Sequence, residues 1–234
     1  MILQTIYGIA LGPGDPELLT LKALRLLKEA DLIFYPGSIT DGVKKSYVYP
    51  LLEYHGLENK ELKGFFLKMS SDRKQASEIY KSTAIEIREA YLLGKKIAVV
   101  CEGDISLYAS FSYLLNKLQN LQLPVSLIPG INSFSLGAAL HKEPLGLLND
   151  KIAIIPRAKN IEEITRYLLD FDTVVLMKIR AGWREFQSEL AGKDWEYYYC
   201  ERLGTNQEYI TTDLAAVTKR EIPYFSLLII KKSK

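Results

Sequence analysis

Cysteine and histidine are nearly absent, with two of each in 234 residues. Cys101 and Cys200 stand alone without C-x-x-C spacing, so neither a zinc site nor a disulfide framework is suggested. His55 and His141 are too isolated for a His-based metal site and read as surface or loop residues. Long apolar runs are lacking too: no stretch approaches the ~18 residues of a membrane span. No basic segment followed by an apolar run opens the chain, so no secretory signal is expected. Nor is there an excess of one charge. Lys plus Arg number 30 against 28 Asp plus Glu, a formal charge of +2. That balance argues against a protein that coats nucleic acid, and any bound anion must meet a local basic patch. The expectation is a cytoplasmic protein with no membrane and no nucleic-acid partner.

What is present is ordinary for a globular chain: 48% hydrophobic and 25% charged residues. The length suits one large domain or two of roughly 115 residues. A chain of this size buries about 70–75% of its unfolded surface without metal or disulfide staples.

Short apolar runs alternate with amphipathic stretches. Residues 5–11 read as a strand, 16–29 as a helix with Leu18, Leu21, Leu24 and Leu27 on one face, and 31–35 as a strand stopped by Pro36-Gly37. A weaker strand fits 61–67. Ala76, Ile79, Tyr80, Thr83, Ile87, Ala90 and Tyr91 mark a helix over 72–93, closed by Gly94. Strands at 96–101 and 125–128 alternate with helices at 106–118 and 133–140. This order predicts right-handed βαβ crossovers and a mainly parallel sheet with flanking helices. Pro144 and Gly146 break the rhythm, which places a linker at 141–150 between an N-terminal domain, 1–140, and a C-terminal domain, 151–234. In the second domain strands fit 152–155, 173–178, 196–200, 209–212 and 225–231, and helices 161–169 and 183–191. Its last strands follow one another with no helix between, so a mixed sheet is expected.

In open α/β sheets ligands bind beyond the carboxyl ends of the strands. Gly12-Pro13-Gly14-Asp15-Pro16 has G-x-G after a strand, but Glu17 stands where a dinucleotide fingerprint needs glycine, and no acidic residue ends the second strand. A tight turn with Pro16 at the first helical position explains it as well. In Glu102-Gly103-Asp104 the glycine permits close backbone approach. Asp104 could take hydrogen bonds from a ribose or amino group or face a cation; equally, Asp104 or Ser106 could cap a helix. Pro129-Gly130-Ile131-Asn132-Ser133 is a third strand-to-helix turn. Three such loops at one sheet edge make a polar-rimmed cleft plausible.

Taken together, YGIALGPGDPELLTLKALRLLKEADLIFYPG at 7–37, CEGDISLY at 101–108, IPGINSF at 128–134, TVVLMK at 173–178, ERLG at 201–204 and PYFSLLII at 223–230 resemble the tetrapyrrole (corrin and porphyrin) methylases, which use S-adenosylmethionine. KMSSD at 68–72, VVLMK at 174–178 and PYFS at 223–226 are most similar to the C20-methyltransferases of cobalamin biosynthesis, which act on precorrin-2 or cobalt-factor II. One departure stands out: the family's G-D-P loop reads Gly103-Asp104-Ile105 here. The resemblance implies two α/β domains, an active-site cleft between them, and a homodimer. It implies that Pro13 borders the active site, that Glu102, Gly103, Asp104 and Leu107 line the cofactor, and that Asn132 and Ser133 meet its polar groups. Met177 and Leu203 would hold the adenine side, with Tyr224, Phe225 and Ser226 closing the pocket. Without the resemblance, Met177 and Leu203 read as core residues.

The implied reaction is methyl transfer from a sulfonium to a meso carbon, an in-line displacement in which positioning supplies roughly 7–11 kcal/mol. The tetrapyrrole carries many carboxylates, which call for Arg or Lys. Tyr35, Ser70, Arg73, Lys178 and Arg180 are the substrate-binding candidates, with Lys68, Arg157 and Arg184 also flanking strand ends. No residue stands out as a general base, and no metal is implied.

Overall fold

The computed structural model describes residues 4–68 and 73–233, with Arg73 described through its backbone alone. The chain divides into two compact units, Met1–Asn132 and Ser133–Lys234.

The first unit runs β1 (Ile6–Ala10), α1 (Leu21–Glu29), β2 (Leu32–Thr40), β3 (Val43–Lys45), α2 (Tyr49–Tyr54), β4 (Glu61–Lys68), α3 (Arg73–Leu92), β5 (Ile97–Cys101), α4 (Phe111–Asn120) and β6 (Val125–Ile128). Strand order is β3-β2-β5-β1-β6, with β4 on β2. Every pairing is parallel except the β2–β3 hairpin. Strand alternation sorts the apolar side chains between two faces. Ile97, Val99 and Cys101 of β5 meet Tyr80, Ala84, Ile87, Phe111 and Leu114 of α3 and α4. Ala98 and Val100 meet Ala23, Leu27, Leu51 and Leu52 of α1 and α2. Burial on both faces is why β5 is a continuous apolar run.

The second unit runs α5 (Ser133–His141), β7 (Ile152–Pro156), α6 (Ile161–Asp170), β8 (Thr173–Met177), α7 (Trp183–Leu190), β9 (Trp195–Glu201), β10 (Tyr209–Thr211), α8 (Leu214–Thr218) and β11 (Ser226–Lys232). Strand order is β10-β9-β11-β8-β7, mixed as expected: β7 and β8 are parallel, and the other pairs are antiparallel. Val174 and Leu176 of β8 pack with Ile161, Ile164 and Leu168 of α6 and Trp183, Phe186 and Leu190 of α7.

Several local expectations are corrected. The helix expected over 16–29 is two pieces, because Asp15 accepts from the Glu17 amide and closes a short 3-10 turn at Pro16–Leu18. Thr20 then starts α1 by accepting from the Ala23 amide. Pro36-Gly37 does not stop β2. Pro36 sits beyond the last β5 pairing, at Phe34, so the N–H it lacks is not needed on that side. Ser46 Oγ donates to the Pro36 carbonyl at 2.7 Å. The helix expected from 106 begins only at Phe111, since Tyr108 takes a positive φ of 52°. A helix does separate the last strands: Asp213 accepts from the Ala215 and Ala216 amides and starts α8. The division between units falls at Asn132 and Ser133, ahead of the 141–150 segment, because α5 packs on β9, β10 and β11.

Candidate active site

In the first unit the three glycine loops follow β1, β5 and β6, which are neighbours in the sheet. They meet at one point. Gly12 and Gly103 exchange backbone hydrogen bonds, with Gly103 N donating to Gly12 O at 2.7 Å and Gly12 N to Gly103 O at 3.1 Å. A Cβ on Gly130 would stand 2.8 Å from Ala10 Cβ and 2.9 Å from Gly103 O, so only glycine lets the third loop close on the other two. Asp104 fastens them. One carboxylate oxygen accepts from the Ser106 amide at 2.9 Å and from the Ser106 hydroxyl, and the other accepts from the Gly130 amide at 2.7 Å.

Asp104 is 6% exposed. Burial pushes its carboxyl up, but hydrogen bonds from the Ser106 hydroxyl and the Gly130, Ser106 and Ile105 amides outweigh that and hold it below its ordinary value. The carboxylate is ionised and committed to the loops. As a helix cap the assignment is corrected: α4 starts after Ser110, with no side-chain cap. Ile105 is buried in the core, and its Cδ1 and Phe111 Cζ converge over Gly8, so the loop is anchored without proline.

Pro13 is buried beside Gly12; Glu102, Gly103, Leu107, Asn132 and Ser133 are half-buried. A Cβ on Gly103, whose φ is +68°, would meet nothing within 4 Å, so its backbone is open to a ligand's approach. Tyr35 is half-buried in the middle of β2. Ser70 lies outside the described residues. Arg73 begins α3.

In the second unit the residues expected around adenine also share one sheet edge. Met177 ends β8 opposite Leu227, and Glu201 ends β9 opposite Ser226. Arg202 N donates to Phe225 O at 2.9 Å, which ties the ERLG turn to the PYFS segment. Met177 and Phe225 are half-buried, Leu203 is 4% exposed and Tyr224 is exposed. Ser226 is buried, and its hydroxyl donates to the Pro223 carbonyl.

Strands β7, β8 and β9 point the same way, and each is followed by a basic residue in the left-handed region: Arg157 (φ 57°), Lys178 (φ 55°) and Arg202 (φ 48°). Left-handed backbone costs an L-residue about 1–2 kcal/mol, and such strain gathers at functional edges. Lys178 is half-buried, while Arg157, Arg180 and Arg184 are exposed. Lys68, at the end of β4 in the first unit, is exposed too.

A scan against family models matches residues 5–218 to the tetrapyrrole (corrin/porphyrin) methylases. The chain belongs to the tetrapyrrole methylases. Among curated relatives, the protein named "Probable cobalt-precorrin-2 C(20)-methyltransferase" of Methanocaldococcus jannaschii is 30% identical, covering 100% of this chain and 98% of the relative. The precorrin-2 C(20)-methyltransferase of a Sinorhizobium species is also 30% identical, over 96% of this chain and 94% of that one. Among solved structures, the uroporphyrin-III C-methyl transferase of Thermus thermophilus in complex with S-adenyl homocysteine is 25% identical, with a TM-score of 0.63 and 97% of each chain covered.

In this tetrapyrrole methylase both cysteines are inert. Burial pushes the Cys101 thiol well up and the Cys200 thiol to about 12, so neither offers a thiolate nucleophile. The histidines donate to backbone, His55 to Pro16 O and His141 to Tyr199 O. Among the described residues no group of His, Cys, Asp and Glu could hold a metal ion, and no helix is long and apolar enough to cross a membrane. Sequence reasoning missed the buried Glu201, which accepts from Tyr199 Oη and Arg220 Nη2, each at 2.6 Å. A carboxylate ending an aromatic strand was its signal.

Proposed function

We propose that this chain is an S-adenosylmethionine-dependent methyltransferase that methylates C20 of precorrin-2 or cobalt-precorrin-2 in cobalamin biosynthesis. The convergence of Gly12, Gly103 and Gly130 under Asp104 carries the reading, in a chain matched end to end by two C(20)-methyltransferases. The loops fit S-adenosylmethionine: the space beside Gly103 is unobstructed, and the ionised Asp104 adds negative charge to loops that would hold a cationic cofactor. When bound, that group supplies an electrophilic methyl.

The residues of this chain bind and orient. Pro13, Glu102, Gly103, Leu107, Asn132 and Ser133 border the cofactor in the first unit, with Asp104 holding their loops in register. In the second unit Met177 and Leu203 offer apolar contact for adenine, with Tyr224, Phe225 and Ser226 beside them at the same sheet edge. Tyr35, Ser70, Arg73, Lys178 and Arg180 contact the tetrapyrrole, the cations meeting its carboxylates. In-line displacement needs no covalent intermediate, which agrees with two inert thiols. The family resemblance adds a homodimer and a cytoplasmic location to this reading.

The test is methyl-labelled S-adenosylmethionine with precorrin-2, metal-free and cobalt-loaded, followed by carbon NMR of the product. Label at C20 is the expected result. Label at another carbon, or binding without transfer, overturns it.

A further inference from the structure

Strand β2 outruns its neighbour β5. They pair only from Leu32 to Phe34, whereas β4 follows β2 along its other edge to Ile39. The hairpin partner β3 pairs with Ser38–Thr40 and so takes the edge that β5 vacates. In register, Cys101 ends β5 level with Pro36, and Lys45 lies level with Ser38. That is two residues further, about 7 Å along the strand at ordinary rise. The hairpin therefore stands beyond the end of β5, where the Glu102-Gly103-Asp104 loop leaves the sheet.

One face of this projection carries Tyr35, Gly37 and Ile39 from β2 and Gly64, Phe66 and Lys68 from β4. The Phe66 ring lies down on the two glycines: a Cβ on either Gly37 or Gly64 would come within 2.5 Å of it. Tyr35 meets Phe66 edge-on, with centroids 6.0 Å apart, and Tyr49 packs on Tyr35 at 5.4 Å. Lys44 Nζ sits 4.9 Å from the Phe66 ring centre. Glycine weakens a strand interior, and this pair flattens a ring that belongs to neither apolar core of the unit. The flat ring instead holds an ammonium group in place by its negative face. Lys44 lies opposite Ile39 and so shares the face that Phe66 occupies, whereas Lys45 lies opposite Ser38 and belongs to the other face. Lys44 is exposed and has no acidic partner among the described residues.

We infer that this projecting wall seats the carboxylate-bearing rim of the tetrapyrrole, with Lys44 pairing with one of its carboxylates and Phe66 positioning Lys44. The inference rests on the tetrapyrrole substrate proposed above. A flat macrocycle with acidic arms suits a rigid aromatic shelf edged by a cation that the ring holds in place.

The test compares the wild-type protein with Lys44→Ala, Lys44→Arg and Phe66→Leu, reading precorrin-2 binding by its absorbance and S-adenosylhomocysteine binding by calorimetry. One partly exposed ion pair gives Lys44→Ala about two- to fivefold weaker precorrin-2 binding. That loss shrinks at high salt, is largely restored in Lys44→Arg, and leaves S-adenosylhomocysteine affinity unchanged. Phe66→Leu gives a smaller loss in the same direction. Unchanged precorrin-2 affinity in Lys44→Ala overturns the wall, as does a loss that salt does not reduce. Wild-type protein that binds precorrin-2 without methylating it, while the variant binds weakly, keeps the wall and rejects the catalytic reading. Wild-type protein that does not bind precorrin-2 rejects both.

Discussion

The Gly130 amide donates to the Asp104 carboxylate at 2.7 Å, and Gly130 itself rests against Gly103 and Ala10. One side chain thus fixes loops that leave β5 and β6, while backbone bonds from Gly103 reach the loop that leaves β1. Asp104 acts on a ligand mainly by holding these loops.

Asp104→Asn is therefore expected to cost stability and cofactor affinity together. An amide oxygen accepts more weakly than a carboxylate, and its NH2 would face an N–H donor. Hydrogen bonds to a charged group are worth about 1.5–3 kcal/mol each, and a loss of about 2–3 kcal/mol is expected in urea unfolding at pH 7. The pH dependence has a definite sign. Asp104 titrates below its ordinary 3.8 in the fold, so its contribution is complete above that value and is lost as pH falls through the lower folded value. The stability gap between wild type and variant should narrow once pH drops below 3.8. A constant gap from pH 7 to pH 3 would contradict it.

Ile105→Pro, which restores the proline usual in the family at this turn, is expected to destabilise this chain. The Ile105 amide helps hold the Asp104 carboxylate ionised, and proline has no N–H. The Ile105 side chain is 5% exposed and meets Phe111 over Gly8. Losing the donor and part of that packing should cost roughly 2–3 kcal/mol, read as a lower urea midpoint. A higher midpoint would show that the turn is strained as it stands.

How much was legible follows from range. The apolar strand 97–101 and the period of α3 are local signals, and both elements lie where they were expected. The three-loop edge was legible because each loop follows a strand and parallel strands end together. The Asp104–Gly130 bond was not, since it joins residues from separate loops and has no periodicity. Pro36 misled for a tertiary reason: it breaks a ladder only where a neighbour needs its N–H, and the pairing with β5 has ended at Phe34. The break before Thr20 turned on one side-chain oxygen accepting from the Ala23 amide. Glu201 was hidden because its partners, Tyr199 and Arg220, sit on its own strand and beyond α8.

Lys178 separates backbone strain from charge. At φ 55° alanine is as strained as lysine and glycine is not. Lys178→Gly should exceed Lys178→Ala in stability by about 0.5–1 kcal/mol, after glycine's greater unfolded entropy is allowed for. Both variants lose the cation, so both should raise the KM for precorrin-2 severalfold, with an effect that shrinks as salt rises. Lost S-adenosylhomocysteine affinity with normal substrate binding would move Lys178 to the cofactor.

Glu201 should behave as a buried anchor for the β9 and β11 ends. It is 3% exposed and accepts from Tyr199 and Arg220, and the Arg220 guanidinium lies 4.0 Å from the centre of the Tyr209 ring. Glu201→Ala removes the carboxylate that accepts from the buried Tyr199 hydroxyl and leaves it only Ser226, while Arg220, 38% exposed at its side chain, can turn to water. The cost should be about 2–4 kcal/mol, below the limit for a fully buried pair. Glu201→Gln should cost less, because its amide oxygen still accepts from Tyr199. Burial first, then the hydrogen bond to Glu201 and its charge, push the Tyr199 phenol far above its ordinary 10.0. A group raised in the fold stabilises fully below its unfolded value and loses that contribution as pH rises. Wild-type stability should therefore fall from about pH 10 upward, and Glu201→Gln should fall less steeply because its Tyr199 is raised less. Urea unfolding of both proteins from pH 7 to pH 11 checks this, and identical alkaline slopes would show that burial alone sets the tyrosine.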